Sequence, residues 1–520
     1  MGAFAFGNAA DAKSKPKPIK PDKLAKEVTL KGVLRHLVAF QAIASLNDGN
    51  RASGTPGFER SADYVALLMR LAGYRVTRQP FEFNFCEDTG SSFAQTAPTP
   101  TTYVDQVDYD VMDCSGDGTA TGPVVPIDLQ LTTPNTSTSG CEPGDFGPTV
   151  VGNIALLQRG TCPFGQKVTN AEAAGAIGAI VMNQGNTTTP DRVDLFLGTL
   201  GGPVGIPAVS VSYPRGVEFA NTPNLNVTIT TETIAEVRNT ENVIAESRTG
   251  DPNNVVMVGA HLDSEPDTAG INDNGSGSAG ILEVALKMRN LKPTNQLRFA
   301  WWGAEEANLV GSTFYVNNLT EEEHARIRLY LNFDMIGSPN YFFGVYDGDN
   351  SAGQGAPAGP PGSAEIEAVF QQFFAQRREA TGPSDFDGRS DYGPFIATGI
   401  PAGGLFTGAE VRKTAADVAL WGGIAGQQYD PCYHAPCDSL TPERNGADAD
   451  VYRQLRQVYR LFGNVNTHAI DTNADAVATA VATFANSVST IPPRALAAAR
   501  VAATATSAPS ARSVNGAWIQ

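Results

Sequence analysis

Hydrophobic positions along this chain change period several times, and each change marks a different kind of element. Residues 29–78 carry apolar side chains at helical spacing, in LKGVLRHLVAFQAIA and again in ERSADYVALLMRLAGY, with the turn GNRASGTPGFE between them. YRVTRQPFEFNF then alternates as a half-buried strand does. From about 100 to 232 the chain is rich in Thr, Pro, Gly and Val and breaks into short apolar runs such as GNIALLQR and AIGAIVMNQ. Only FGQKVTNAEAAGA reads as a clear helix there. That texture predicts a β-rich inserted domain. From 235 to about 470, continuous apolar runs alternate with helical ones, the pattern of a largely parallel sheet covered on both faces.

The predicted fold class is therefore α/β: a mixed, mostly parallel sheet with helices on both faces, plus the β-rich insert. The domains predicted are a main domain from 29–100 and 235–475 and an insert at 101–234. Residues 1–28 read as a Lys/Pro-rich linker without order, and 485–520 as an Ala/Ser/Thr/Pro/Arg-rich tail with too little to bury.

Bulk properties narrow this further. At 520 residues the chain is too long for one compact core. A net charge of -17 argues against a nucleic-acid surface, which needs clustered Lys and Arg. No run of about 18 apolar residues predicts a membrane-spanning helix. The six cysteines lie in sequence-local pairs outside any zinc-ligand spacing, which points to disulfides and an oxidising compartment. Among the fifteen possible pairings, local closure favours Cys86–Cys114, Cys141–Cys162 and Cys432–Cys437. The predicted location is secreted or in the cell envelope, although MGAFAFGNAADAKSKPKPIKPDK lacks the basic start and apolar core of an export signal.

The candidate chemistry sits where apolar strands end. VVMVGAHLD ends on His261 and Asp263, and GINDNGSGSAG then carries Asp273 into an apolar helix. LRFAWWGAEE ends on Glu305 and Glu306, RLYLNFDMIG on Asp334, and CYHAPCD supplies His434. Three strand ends bearing an imidazole or carboxylates aim at one rim of a sheet, where open α/β sheets place their sites. Histidine with several carboxylates suits a pair of divalent ions such as zinc. Taken singly, Glu305–Glu306 would read as a solvated pair and Asp263 as a cap; the ordered set is what argues otherwise. The remaining histidines read as structural, His36 and His324 on polar helix faces and His468 near a helix end.

Together HLDS…GINDNGSGSAG, LRFAWWGAEE…GSTFYVNNL, LNFDMIG, GRSDYGPF, GGLFTGAE and CYHAPCDSL resemble the secreted double-zinc aminopeptidases of bacteria, almost throughout 235–470. Within the insert, VGNIALLQRGTCPFGQKVTNAEAAGAIGAIVMN resembles a protease-associated domain. The resemblance implies two zinc ions per chain bridged by Asp273, with His261 and Asp334 completing one site and Glu306 and His434 the other. It implies Glu305 as general base, Tyr433 as donor to the oxyanion, and Arg389 as a contact to the substrate's main chain. Asp263, two residues from His261 on one strand face, is positioned to fix its tautomer. The implied substrates are peptides with a free N-terminus.

Three other readings compete: a single-zinc glutaminyl cyclase, a carboxypeptidase, and a catalytically dead receptor-like relative. The intact ligand set argues against the first and last, and Arg389 is the one good cation for a C-terminal carboxylate. The apolar LFTG stretch favours a bulky first residue, while Glu410 could attract Lys or Arg. Arg389 could also be no more than a local ion pair with Asp391. Oligomeric state and the role of the insert are not readable from the sequence.

Overall fold

A computed structural model describes residues 17–186, 192–353 and 355–493. In chain order the strands of the main sheet begin with β1 (Arg75–Ala97), β2 (Thr101–Tyr103), β3 (Tyr109–Val111), β4 (Gly118–Pro126), β5 (Ile154–Gln158), β6 (Gly178–Met182) and β7 (Ala208–Val211). They continue with β8 (Asn226–Glu246), β9 (Asp251–His261), β10 (Asn295–Trp302), β11 (Ile327–Phe333), β12 (Gly344–Tyr346), β13 (Gly382–Ser384) and β14 (Ala402–Phe406).

The centre of the main domain is β14-β11-β9-β10, all parallel, because these strands are apolar on both faces and can exist only between two layers of helix. Val256, Val258, Leu297, Phe299, Trp301, Leu329 and Leu331 point into one core, against helices Leu30–Ser45, Gly275–Met288 and Thr467–Asn486. Their neighbours Val255, Met257, Ala300, Trp302 and Tyr330 point into a second core, against Tyr315 and Phe395. Antiparallel pairings of β10 with β8 and of β14 with β12 make the sheet mixed. The α/β class, mostly parallel with helices on both faces, is the architecture found.

The insert is a smaller layered unit. Strands β4-β5-β6-β7 run parallel, with β3 antiparallel at the far edge. Among its described residues it carries two α-helices where one was expected. Phe164–Ala173 is the legible one; Tyr213–Asn221 has Pro214 in its first turn and is capped by the Ser212 hydroxyl, so its start is local rather than periodic.

The two units share strands. The start of β8, Asn226–Thr231, pairs with β4 and its end, Val243–Glu246, with β10, while β1 follows β8 antiparallel from Arg75 to Ala97. The boundary drawn at 234/235 therefore falls inside one continuous strand.

The expected N-terminal linker also needs correcting within the described residues. Pro21–Glu27 is a helix, and Ile19, Leu24, Ala25 and Val28 are buried in the main core. Asn486 clamps this segment through both amide groups, accepting from Ile19 N at 2.8 Å and donating to Ile19 O at 2.7 Å. Lys and Pro dominate the composition there, but the few apolar residues share one helical face. At the other end, helix Thr467–Asn486 and buried Val488 and Ile491 extend past 485, and 494–520 lies outside the described residues. Leu24 is 2 % exposed, so Leu24→Ala is expected to lower stability by roughly 2–5 kcal/mol. Urea unfolding showing no change would mean that the segment is not docked.

Candidate metal centre

The candidate ligand residues sit where the central strands run out. On β9 and just beyond it, Ala260 and Leu262 pack into the main core, which leaves His261 and Asp263 on the opposite face. Asp273 stands just ahead of helix Gly275–Met288, whose N-cap Asn274 accepts from Gly277 N at 2.9 Å. Glu305 and Glu306 follow β10, Asp334 follows β11, and His434 lies in the loop closed by the Cys432–Cys437 disulfide. Ala304, Met335 and His434 all adopt left-handed backbone, with φ of 51°, 48° and 50°. Such angles are uncommon for residues other than glycine. Their recurrence at three turns that carry these side chains marks strain held by the surrounding packing.

Two imidazoles and four carboxylates converge. His261 Nε2 lies 3.1 Å from Asp334 Oδ1, 3.2 Å from Asp273 Oδ1 and 3.9 Å from Glu305 Oε2. His434 Nε2 lies 3.4 Å from Asp273 Oδ2 and 3.3 Å from Glu306 Oε2. Each oxygen of Asp273 thus faces a different imidazole. Two donors each about 2.1 Å from a tetrahedral zinc ion stand about 3.4 Å apart, which is the spacing seen. Glu306 Oε1 is buried and has no hydrogen-bond partner, an orphan that a cation would satisfy. The donor set of imidazole and carboxylate oxygen fits zinc.

Around these groups lies a supporting layer. Asp263 Oδ1 is 3.5 Å from His261 Nδ1 and also accepts from Glu305 N at 3.4 Å. Ser390 donates to Asp334 Oδ2 at 2.7 Å. Asp438 accepts from Asn272 N and Asp273 N at 2.8 and 2.9 Å. Arg51 is fully buried and donates to the carbonyls of Leu262, Ala269 and Gly270, gripping both ends of the loop between His261 and Asp273. Glu265 Oε1 lies 3.3 Å from His434 Nδ1.

Sequence reasoning overlooked Glu265, Ser390 and Arg51. Arg51 and Ser390 lie inside motifs already singled out, GNRASGTPG and GRSDYGPF. Glu265 had only its adjacency to HLDS as a signal.

Arg389 is paired with Glu410, at 2.7 and 3.3 Å, rather than with Asp391, and donates to the Tyr433 hydroxyl at 3.0 Å. Glu410 is thereby taken up and is no free anion for a basic substrate residue. The Tyr433 ring stacks on His434, 3.8 Å between centroids. His36 departs from its expected polar face: it is buried, bonded to the Tyr64 hydroxyl at 2.7 Å, and faces buried Glu283. The other disulfides are Cys86–Cys114 and Cys141–Cys162.

Burial raises the carboxyls of Glu305, Glu306 and Asp391, Glu306 to about 7 and Asp391 to about 8, with neighbouring carboxylates adding to the effect. For His261, burial alone would lower the pKa, but Glu305 and Asp334 outweigh it and hold the ring well above its usual value. Asp273 goes the other way: its two histidines overcome burial and hold it below the usual carboxylate range.

Two profiles match this sequence: Peptidase family M28 over residues 242–458, and the PA domain over 120–219. An aminopeptidase of Pseudomonas aeruginosa is 47% identical over 449 residues, 86% of this chain and 79% of that protein. The chain belongs to peptidase family M28. Leucine aminopeptidase 2 of Trichophyton tonsurans is 37% identical over 487 residues, 92% of this chain and 89% of its own. The fold is shared with the crystal structure of a zinc aminopeptidase from Bacillus subtilis, with a TM-score of 0.56 at 23% identity, over 88% of this chain and 95% of that one. This M28 peptidase with its PA insert is thus of the aminopeptidase kind for which its curated relatives are named.

One consequence concerns pH. A carboxyl or imidazole whose pKa is raised on folding stabilises the fold below its unfolded pKa. That contribution is lost as pH rises through the folded value. Without metal, Glu306 and Asp391 place this loss between about pH 4 and pH 8, and His261 acts in the same direction. The chelator-treated peptidase is therefore expected to melt at a lower temperature at pH 8.5 than at pH 5.5 (about three units apart), and zinc should flatten the trend. A melting temperature that climbs over that interval in chelator would contradict it.

Proposed function

We propose that this M28 peptidase is an exported aminopeptidase that removes single N-terminal residues from peptides, with two zinc ions at the rim of the sheet. The observation that carries the reading is Asp273, with one oxygen toward His261 and the other toward His434. His261 and Asp334 would hold one ion, Glu306 and His434 the other, and Asp273 both. When bound, such a pair supplies Lewis acidity that polarises the scissile carbonyl and acidifies the attacking water.

The chain's own residues supply the rest. Glu305, buried and raised in pKa, takes the water's proton and passes it to the leaving amine. The main-chain carbonyl of Asp263 accepts from His261 Nδ1 at 3.2 Å, with the carboxylate 3.5 Å away, and keeps Nε2 aimed at the centre. The Tyr433 hydroxyl donates to the oxyanion, held in place by Arg389 and by the Cys432–Cys437 loop. Arg389 is itself neutralised by Glu410, which disfavours recognition of a C-terminal carboxylate and so a carboxypeptidase. Of the LFTG stretch, Leu405 is taken up in the main core and Thr407 donates to Met335 O, which leaves the half-buried Phe406 as its one apolar side chain free to meet a first residue. Three disulfides support an extracytoplasmic location. Among the described residues no helix is long and apolar enough to cross a membrane.

Glu305→Gln removes the base but none of the expected ligands. Its kcat should fall by at least about 100-fold, while elemental analysis still finds two zinc ions per chain. Full activity, or one ion in the wild type, would sink the assignment. For direction of attack, leucine and phenylalanine anilides should be hydrolysed, their N-acetylated forms resisted, and a C-terminal amide on a longer peptide tolerated. Rapid cleavage of the N-acetylated substrates would leave the fold standing and overturn the function.

A further inference from the structure

A cavity of about 280 Å³ opens from the metal centre toward the inserted domain, near the lower end of ligand pockets, roughly 300 Å³. Its floor is Asp263, Glu265 and Glu306, so it is continuous with the proposed catalytic groups. One wall is the stretch Phe83, Asn84, Phe85 and Cys86 of β1. Successive side chains of a strand point to opposite faces. Phe83 and Phe85 face the Ala304 side, while Asn84 and Cys86 reach the insert, and the cavity runs along the strand between these two faces. The strand's edge there is open: β1 pairs with β8 on one side, and among the described residues no strand pairs with the other side at Phe83–Cys86.

The roof comes from the insert, through Cys114, Thr199 and Gly201. It is fastened to the same stretch of β1 by the Cys86–Cys114 disulfide and by the bond from Asn84 Nδ2 to Gly201 O, 3.0 Å. Phe83 and Phe85 pack with Ala304, Ala307 and Val310 beside the Glu305–Glu306 turn, which gives the cavity an apolar side.

We propose that this cavity seats the part of the peptide that follows the scissile bond, and that the open edge of β1 pairs with it as an added strand. Main-chain pairing supplies affinity for any extended peptide, and the aromatic side accommodates an apolar residue. The PA insert is then a wall of the substrate cleft. Its fixed roof admits an extended chain and leaves no room for a folded segment next to the scissile bond. The inference rests on the aminopeptidase reading.

The test uses leucinamide, which has nothing beyond the leaving nitrogen, the tetrapeptide Leu-Ala-Phe-Ala, and two analogues of it methylated on the Phe or the final Ala nitrogen. Because alternate residues face a neighbouring strand, one analogue should lose at least about tenfold in kcat/KM, the size of one hydrogen bond. The other should behave as the parent. Equal cleavage of both analogues and the parent overturns the pairing. Independently, Asn84→Trp should lower the ratio of kcat/KM for tetrapeptide over leucinamide by at least about tenfold, and an unchanged ratio in the folded variant overturns the cavity's role. The methylated substrates need no variant, so they decide the matter if Asn84→Trp does not fold. Failure of the wild type to release ammonia from leucinamide would instead discredit the aminopeptidase reading.

Discussion

Taking a carboxylate out of water is expensive by several kcal/mol unless charge or hydrogen bonds compensate it, and this chain buries Asp263, Asp273, Glu305, Asp334, Asp391 and Asp438 around one rim. The compensation is visible in pieces. Asp438 takes two backbone N–H groups, Ser390 serves Asp334, and Arg51 lies within the field of Asp263, Asp438 and Asp273. Burial lowers the Arg51 pKa to about 10, yet it stays cationic at neutral pH. What remains unbalanced is Oε1 of Glu306 and both oxygens of Asp391, together with the upward pressure on Glu305. The rim is thus built as a negative cup, and cations are the natural partner of such a cup.

That need explains the frame. The carboxylates can be held together only by elements that do not yield, and each is attached to a strand end or a helix start fixed by a core on both faces of the sheet. Arg51 ties the loop between His261 and Asp273 to the turn after helix Leu30–Ser45, so the N-terminal helices belong to the site although they supply no expected ligand. The disulfide at Cys432–Cys437 serves His434 in the same way.

The insert enters this scheme through shared strands rather than a hinge. β8 pairs with β4 over Asn226–Thr231 and with β10 over Val243–Glu246, and in between it stays paired with β1, so one strand runs from the PA unit into the peptidase sheet. Cys86–Cys114 then closes the corner where β1 passes the metal centre. An inserted domain placed this way shapes access, whereas one on a flexible linker would not.

Much was determined by sequence alone. Apolar runs ending on His261, Glu305–Glu306 and Asp334 fixed both the parallel sheet and the rim, because period and strand-end position are local properties of the chain. The GNRASGTPG and CYHAPCD motifs flagged the right loops without revealing that Arg51 grips one and that Tyr433 stacks on His434. Other features lay beyond local reading. The docking of Ile19 and Leu24 depends on a partner some 460 residues away, Asn486, and composition alone made that segment look disordered. His36 turned inward to Tyr64 and Glu283, on two other helices, and nothing in its own stretch of sequence announces them. Arg389 chose Glu410 over its sequence neighbour Asp391, which ties up the one carboxylate that the sequence had offered to a basic substrate residue. Pairings between distant elements are decided by which buried charges meet, and a one-dimensional pattern carries no record of that distance.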